Sequence, residues 1–483
     1  MTPLPDDPLP GLALRGRIGL IAGPLVMALV FLALSDLDGP ARRTGAVAAL
    51  MAVWWITEPI PLAATALLPI ALLPLLGIGP AEQAAAPYAH PIVFLFLGGF
   101  LLAIALERWG LHRRVALGII AAVGTRPRRL VAGFMAASAF LSLWISNTAT
   151  TLLLLPIGLS VLGVAAEGDE AGELGPALLL GIAFAASIGG MGTLIGTPPN
   201  ALTAAFLAET YGVRIGFAHW MLLGMPIVLV ALPIAYLVLT RVAFSIGRAD
   251  LPSGAAIVER ERAALGPLTR GERLVALVFA LAAGGWILGP LLGRWVPGLS
   301  DTGVAILAAL LLFGLPVDLG RGVFVLDRAA FARVPWGVLL LFGGGLSLAA
   351  AIERSGLADA MAGTFEGLAA WPVLALLVAL TLAVVASSEL ASNTATAAAF
   401  LPVVGALAVT VGLDPLLLVL PAGLAASGGF MLPVATPPNA IVYGSDRITI
   451  PQLVRAGALV DLAFLALVPL AGRFLVPLLF RQP

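Results

Sequence analysis

The sequence contains no cysteine and no lysine, and charged residues of all kinds make up only 11% of the chain. The absence of cysteine excludes disulfides, thiolate metal sites and a cysteine nucleophile. The absence of lysine excludes Schiff-base chemistry on this chain, because all 26 basic residues are arginine. The formal net charge is zero and there is no basic tract, so we expect no nucleic-acid partner.

Apolar residues dominate instead. They make up 60% of the chain, and the mean hydropathy is +1.06. Soluble domains carry roughly 25% charged residues, so this composition predicts a polytopic membrane protein. Residues 1–14 are proline-rich and lack the basic region, apolar core and cleavage site of a signal peptide, so we expect no cleaved signal. No metal-ligand cluster, nucleophile–base pair or phosphate loop is evident, so we do not expect an enzyme.

A five-residue motif occurs twice. Ser-Asn-Thr-Ala-Thr stands at 146–150 and again at 392–396, a spacing of 246 residues. Each copy is followed by Thr-Pro-Pro-Asn, at 197–200 and at 436–439. Polar, helix-breaking sequence inside a membrane is costly unless it lines a cavity or is covered by protein. Two such interruptions in matching places indicate the binding site of a transporter.

The apolar run at 130–164 is too long for one span. As a single helix it would measure about 50 Å, and the hydrocarbon core is only about 30 Å thick. Broken at Ser-Asn-Thr, it gives two pieces of about 23 Å each, which predicts a re-entrant hairpin. A single tilted, kinked span is the alternative. The same argument predicts a second hairpin at 372–412, and the tandem prolines predict broken spans at 176–209 and 415–443.

These segments predict an all-α membrane protein with about eleven transmembrane helices and two hairpins. With about five spans per repeat, an odd number, the two repeats must have inverted topology. The arginine distribution favours a cytoplasmic N-terminus. The predicted divisions are an N-terminal segment and first span (1–44), a first repeat (45–246, with early spans 45–111, hairpin and broken span 130–209, and closing span 219–245), a polar cytoplasmic linker (247–271) and a second repeat (272–483).

The chemistry of the tips favours ions. Free N–H groups at a helix N-terminus suit an anion, whereas carbonyl, hydroxyl and amide oxygens suit Na⁺. Neither motif contains Arg, Lys or His, so an anionic substrate must be neutralised by Na⁺ and by helix dipoles. We therefore predict one Na⁺ site per half, built from a hairpin tip and the facing broken span, with the substrate between the tips. The alternative is that the polar triplets only form hydrogen bonds between helices.

Three acidic residues are secondary candidates. Glu389 lies inside the second hairpin, where an acid is either functional or a stabiliser of the hairpin, and both interpretations stay open. Glu58 is expected to anchor a helix turn at the membrane interface. Asp461, in the last span, is a candidate for pairing with a neighbouring helix.

Together with the two motif pairs, the segment Trp-Trp-Ile-Thr-Glu-Pro-Ile-Pro-Leu at 54–62 carries a family resemblance. The chain resembles, over nearly its whole length, the divalent anion/sodium symporters (DASS), which carry di- and tricarboxylates or sulfate. The resemblance implies a homodimer in a bacterial inner membrane. It also implies a scaffold domain, formed by the first spans of each repeat, and a transport domain of hairpins and broken spans that moves as an elevator.

The resemblance also assigns residues. The implied first Na⁺ site uses Ser142, Ser146, Asn147 and the Gly196 carbonyl; the implied second site uses Ser388, Ala391, Asn393 and the Ala435 carbonyl. Substrate carboxylates are expected to meet Ser146, Asn147, Thr148, Ser392, Asn393 and Thr394, with Thr197, Pro198, Thr436 and Pro437 closing the site. The family often has threonine where this chain has Ser388, and because the hydroxyl survives we expect only modest tuning.

The expected function is Na⁺-coupled import of C4-dicarboxylates such as succinate, malate or fumarate. The alternatives are a Na⁺-independent dicarboxylate exchanger and a citrate or sulfate carrier of the same family. A channel or sensor built on this fold is the alternative from another functional class.

Overall fold

The computed structural model describes residues 14–124, 126–165, 173–246, 252–358, 360 and 366–480. Two of the predicted divisions lie partly outside these residues, namely the N-terminal segment and the start of the linker. So do most of the acidic loop that the sequence predicts at 167–173 and residues 361–365 of an amphipathic arm that it predicts between Arg354 and about residue 370.

The described chain is almost entirely helical. The first half contains α1 (Leu14–Ala33), α2 (Gly39–Thr57), α3 (Leu62–Thr65), α4 (Leu68–Leu75), α5 (Ala81–Ala85), α6 (Pro91–Arg108), α7 (Leu111–Val123), α8 (Pro127–Ser142), α9 (Asn147–Ala165), α10 (Leu174–Gly190), α11 (Pro198–Tyr211) and α12 (Phe217–Leu237). The rest contains α13 (Pro252–Ala264), α14 (Arg270–Ile287), α15 (Gly289–Leu292), α16 (Asp301–Gly314), α17 (Ala329–Arg333), α18 (Trp336–Arg354), α19 (Val373–Leu390), α20 (Asn393–Thr410), α21 (Pro415–Ala425), α22 (Pro437–Tyr443), α23 (Ile450–Leu470) and α24 (Val476–Leu479).

Short irregular elements complete the chain. Two 3₁₀ turns, Ala86–Ala89 and Glu366–Leu368, join helices, and π-helical segments extend α12 and α23 at Val238–Ala243 and Ala471–Leu475. Strands β1 (Pro316–Asp318) and β2 (Val323–Phe324) pair antiparallel, a small exception to the all-α prediction.

Among the described residues, seven helical segments are long and apolar enough to cross a membrane. They are Leu14–Ala33, Ala81–Arg108, Phe217–Ala243, Trp336–Arg354, Val373–Leu390, Asn393–Thr410 and Ile450–Leu479. Within the early spans, the sequence predicts one span at about 62–78; this prediction is wrong as a continuous helix, since the segment forms α3 and α4 separately. Pro69 lies in the first turn of α4 and has no N–H to continue α3. The count of eleven spans stays a prediction.

Helix α10 reveals the reversal of the first hairpin. Its glycines and isoleucine lie against both arms in this order: Gly181 with Met135, Gly189 with Ala139, Ile182 with Gly158, and Gly175 with Leu162. As the residue number rises along α8, the number of the contacted residue on α10 rises too, whereas along α9 it falls. The two arms therefore run in opposite directions. The chain turns back between Ser142 and Asn147, as the hairpin interpretation predicts, and a single kinked span is excluded.

The second half repeats this arrangement. Helix α19 ends at Leu390, α20 begins at Asn393, and α21 packs against both. The first break, residues 191–197, separates α10 from α11, and the second break, residues 426–436, separates α21 from α22. Both breaks precede a proline pair at the start of the next helix, where missing N–H groups are tolerated.

The linker between the halves is not a simple polar loop, because it contains α13. Arg113 on α7 forms an ion pair with Glu261 on α13, and Arg114 contacts Glu272 at 2.7 Å. The first pair joins α7 to the linker helix α13, and the second joins α7 to the first turn of α14.

Candidate functional site

The two hairpin tips and the two breaks line one cavity of about 710 Å³. We call Ser146-Asn147-Thr148 the first tip and Ser392-Asn393-Thr394 the second tip. All ten residues predicted to bind substrate line this cavity: Ser146, Asn147, Thr148, Thr197, Pro198, Ser392, Asn393, Thr394, Thr436 and Pro437. Residues 246 positions apart in the sequence therefore share a single space.

The tips present helix N-termini to the cavity. Helices α9 and α20 begin at Asn147 and Asn393, so their first N–H groups have no partner within the helix. Helices α11 and α22 also begin at the cavity, but each starts with two prolines and contributes no N–H there. The donors for an anion therefore come from the two tips, while the proline pairs form rigid walls.

A buried asparagine holds each break open in the same way. The Asn200 amide nitrogen donates to the carbonyls of Gly190 (2.9 Å) and Thr193 (2.7 Å). The Asn439 amide nitrogen donates to Gly429 (3.3 Å) and Leu432 (3.1 Å), at the same spacings of ten and seven residues. Buried carbonyls freed by an unwound helix need such partners. The asparagine of Thr-Pro-Pro-Asn is thus a structural residue.

The first oxygen cluster lies behind the first tip. Ser142 Oγ and Asn147 Oδ1 are buried, and neither has a hydrogen-bond partner among the described residues. A Cβ placed on Gly190 would lie 2.7 Å from Asn147 Oδ1 and 3.2 Å from the Gly196 carbonyl oxygen, and one on Gly196 would lie 2.8 Å from the Ser142 carbonyl oxygen. Several uncharged oxygens thus surround a space that a methyl group would fill. This donor set fits a hard monovalent cation.

The second oxygen cluster lies behind the second tip. Ser388 Oγ is 2.8 Å from Asn393 Oδ1 and 2.6 Å from the Ala426 carbonyl, but its single proton serves only one of them. The inward atom of the Asn393 amide is also 3.2 Å from the Ala426 carbonyl and 3.3 Å from the Ala435 carbonyl. With the amide nitrogen inward the group donates to these oxygens; with the oxygen inward, the cluster fits a cation. Ala391, a further predicted ligand, is buried and follows the last residue of α19, Leu390.

Comparison with known proteins gives the family. The model of the sodium:sulfate symporter transmembrane region matches residues 16–481. The chain belongs to this symporter family. The resemblance to divalent anion/sodium symporters is thereby confirmed, as is the expectation that the chain is a transporter and not an enzyme.

Two curated relatives of this symporter-family protein come from staphylococci. A protein of Staphylococcus saprophyticus named sodium-dependent dicarboxylate transporter SdcS is 40% identical over 473 residues, which cover 95% of this chain and 91% of the relative. The protein of the same name from Staphylococcus aureus is 41% identical over 474 residues, with the same coverage. The solved structure of the Alcanivorax borkumensis YdaH transporter covers 91% of this chain and 98% of its own, with a TM-score of 0.57 and 16% identity, which shows a shared fold.

The cavity of this symporter also includes a charged pair that sequence reasoning did not place there. Arg15 from α1 and Glu58 at the end of α2 line it, with 3.6 Å between their charged groups. Glu58 caps the last turn of α2, since its N–H donates to the Trp54 carbonyl, and its expected position at the membrane interface stays a prediction. Glu58 has a left-handed backbone (φ 49°), which is uncommon outside glycine. The tips themselves contain no cationic side chain, but the lining of the cavity includes that of Arg15.

Glu389 lies outside the cavity lining. Its carboxylate accepts the N–H groups of Phe430, Met431 and Leu432 at 2.6, 2.8 and 2.9 Å. It therefore binds the backbone of the second break and supports the residues that line the cavity from behind. Sequence reasoning also missed two backbone oxygens of the clusters, the Ser142 and Ala426 carbonyls, because a backbone oxygen leaves no sign in the sequence.

Proposed function

We propose that the protein is a Na⁺-coupled importer of C4-dicarboxylates such as succinate, malate or fumarate. The observation that carries this proposal is the position of both tips on one cavity, with an uncharged oxygen cluster behind each tip. The names of the curated relatives, sodium-dependent dicarboxylate transporters, point to the same substrate class and the same coupling ion.

The arrangement gives a physical reason for coupling. Asn147 and Asn393 each belong to an oxygen cluster and to the cavity lining, so each amide serves the ion and the substrate together. Because the tips carry no cationic side chain, a dianion gains most of its charge compensation there from Na⁺ and from the N-termini of α9 and α20. Na⁺ and the substrate therefore bind more tightly together than apart, which is the thermodynamic requirement for symport.

Two tips favour a dicarboxylate over sulfate. Each tip offers its own set of N–H and hydroxyl donors, and a dicarboxylate presents one carboxylate to each set. A sulfate ion has a single charged centre. Citrate is the stronger rival on size, since a cavity of about 710 Å³ exceeds the needs of a four-carbon dianion.

Uptake of labelled succinate into proteoliposomes tests this function. We expect concentrative uptake with an inward Na⁺ gradient and none with choline; Asn147→Ala and Asn393→Ala should each abolish it. Uptake that requires internal dicarboxylate and ignores Na⁺ identifies the exchanger instead. Passive equilibration without accumulation identifies a channel. If both asparagine variants transport normally, the assigned sites are wrong.

We further propose inverted repeats, a scaffold domain, an elevator-like transport domain, a homodimer and a cytoplasmic N-terminus in the bacterial inner membrane. The chain has no cysteine, so single introduced cysteines can be labelled without removing native ones. Cysteines at the exposed positions Arg17 and Leu319 should both react only from the cytoplasmic side, and one at Trp295 only from the outside. Labelling of Arg17 and Leu319 from opposite sides contradicts the proposed topology, and light scattering of the purified protein gives the oligomeric state.

A further inference from the structure

Two carboxyl groups meet in the interior behind the second break. Glu389 on α19 and Asp461 on α23 are 3% and 4% exposed. Glu389 is fully engaged as a carboxylate, since three backbone N–H groups of residues 430–432 donate to its two oxygens. Both of its oxygens therefore already act as hydrogen-bond acceptors.

Asp461 has the opposite environment. Neither of its side-chain oxygens has a hydrogen-bond partner of good geometry among the described residues, since the nearby Phe430 N–H donates to Glu389 at 2.6 Å. The side chain that interacts with it is Glu389, a like charge, and the other contact is with the backbone of Phe430. Helices α12 and α21 and the π-helical segments pack around α23. No basic group that the structure describes on these elements forms an ion pair with Asp461, and Arg455 on α23 itself donates to the Val242 carbonyl. An ionised carboxylate in such a place is strongly unfavourable.

The first half of the protein shows that the fold does not require these acids. Glu389 stands 246 residues after Leu143, the spacing that relates the tips. Gly457 packs against the Phe430 carbonyl as Gly224 packs against the Met191 carbonyl, so Asp461, four residues after Gly457, corresponds to Val228. Leu143 and Val228 are both buried. The same junction is thus apolar in one half and acidic in the other.

We propose that Asp461 binds a proton against the Glu389 carboxylate, and that this proton keeps the second break in the geometry that forms the second oxygen cluster. The proton resides on Asp461 and is donated toward a carboxylate oxygen of Glu389. Losing it places two negative charges side by side in a low-dielectric interior and loosens residues 430–432 from Glu389. The proposal goes beyond the proposed function, because it adds a proton to the ions on which the transporter depends.

A proton fits this place better than a second alkali ion. Both Glu389 oxygens already accept N–H groups, and Asp461 adds only two oxygens. A hard cation needs about six oxygen ligands, whereas a proton needs one donor and one acceptor.

Thermal stability of the purified protein tests proton binding without reference to transport. The native state holds a proton that an unfolded aspartate, with a pKa of about 3.9, has released, so stability falls as pH rises. Between about pH 7 and pH 10, the equilibrium constant for unfolding should rise more steeply with pH in the wild type than in Asp461→Asn. The difference between the two proteins should be up to about tenfold per pH unit. Asp461→Val, the residue of the first half, should be as flat as Asp461→Asn. Asp36→Asn, which removes an exposed carboxylate, should match the wild type. Parallel pH profiles in the wild type and both Asp461 variants overturn the proposal.

Na⁺-driven uptake over the same alkaline range supplies the second readout, since the dicarboxylate is fully ionised there. Wild-type uptake should decline with pH, while Asp461→Asn should keep its uptake and lose the decline. An equal decline in both proteins overturns the role at the second cluster. If no protein shows Na⁺-driven uptake, the proposed function fails, whereas the thermal profiles still decide whether Asp461 binds a proton.

Discussion

Gly190→Ala is the sharpest test of the first oxygen cluster, because it removes no ligand side chain. The added Cβ would lie 2.7 Å from Asn147 Oδ1, and ordinary contacts of this kind begin at 3.4 Å. The amide oxygen must therefore retreat by about 0.7 Å, well beyond the ~0.2 Å tolerance of metal–ligand distances. Mutation of the groups that orient metal ligands typically lowers metal affinity about 10–100-fold, and we expect an effect of this size here.

The assay is the Na⁺ concentration that gives half-maximal succinate uptake in proteoliposomes. We expect it to rise by about 10–100-fold in Gly190→Ala, equivalent to about 1.4–2.8 kcal/mol of ion-binding free energy. Gly429→Ala provides a graded comparison at the second break, since its Cβ would lie no closer than 3.2 Å to its neighbours, and we expect a smaller shift. Gly118→Ala on α7 meets nothing within 4 Å and should leave the Na⁺ dependence unchanged.

If Gly190→Ala is folded and has the Na⁺ dependence of the wild type, the first oxygen cluster is not a Na⁺ site. A general loss of stability is a separate outcome, recognised by its effect on the thermal midpoint. Such a loss would appear together with reduced maximal uptake, whereas a change at the cluster raises the half-maximal Na⁺ concentration and spares uptake at saturating Na⁺.

Two further substitutions follow from the structure. Asn200→Ala leaves the carbonyls of Gly190 and Thr193 without their side-chain donor and should destabilise the protein by about 1–3 kcal/mol per carbonyl, measured by thermal denaturation, with Asn439→Ala as the counterpart in the second half. Arg15→Gln should raise the KM for a dianionic substrate several-fold at low salt and less at high salt, since exposed charges are screened. An unchanged KM would show that Arg15 does not contribute to substrate binding. Arg17→Gln, exposed on the same helix, is the control.

Much of the fold was predictable because the membrane restricts the choices. The hairpins followed from length alone, since a run of 35 residues cannot cross the bilayer as one helix, and α8 and α9 begin and end within a few residues of the predicted limits. The breaks followed from tandem prolines. The division of 62–78 into α3 and α4 could not be predicted from the sequence. A proline such as Pro69 gives the same sequence pattern at the start of a new helix as inside a kinked one.

The candidate site was predictable where side chains carry it. All ten residues predicted to bind substrate line one cavity, and they could be predicted because the two tips and the two proline pairs are repeated motifs. Contributions from backbone and from distant helices were not visible. The Ala426 carbonyl depends on where α21 unwinds, Arg15 depends on how α1 packs, and the meeting of Glu389 with Asp461 depends on the packing of α19 against α23.

The central claim is that uncharged tips bind a dianion only together with Na⁺. Titration calorimetry of the purified protein with succinate, in Na⁺ and in choline buffer, measures this directly. We expect succinate to bind in Na⁺ buffer and not detectably in choline buffer. We also expect Asn147→Ala and Asn393→Ala to lose succinate binding. Equal affinity in the two buffers, or wild-type affinity in both variants, would contradict it.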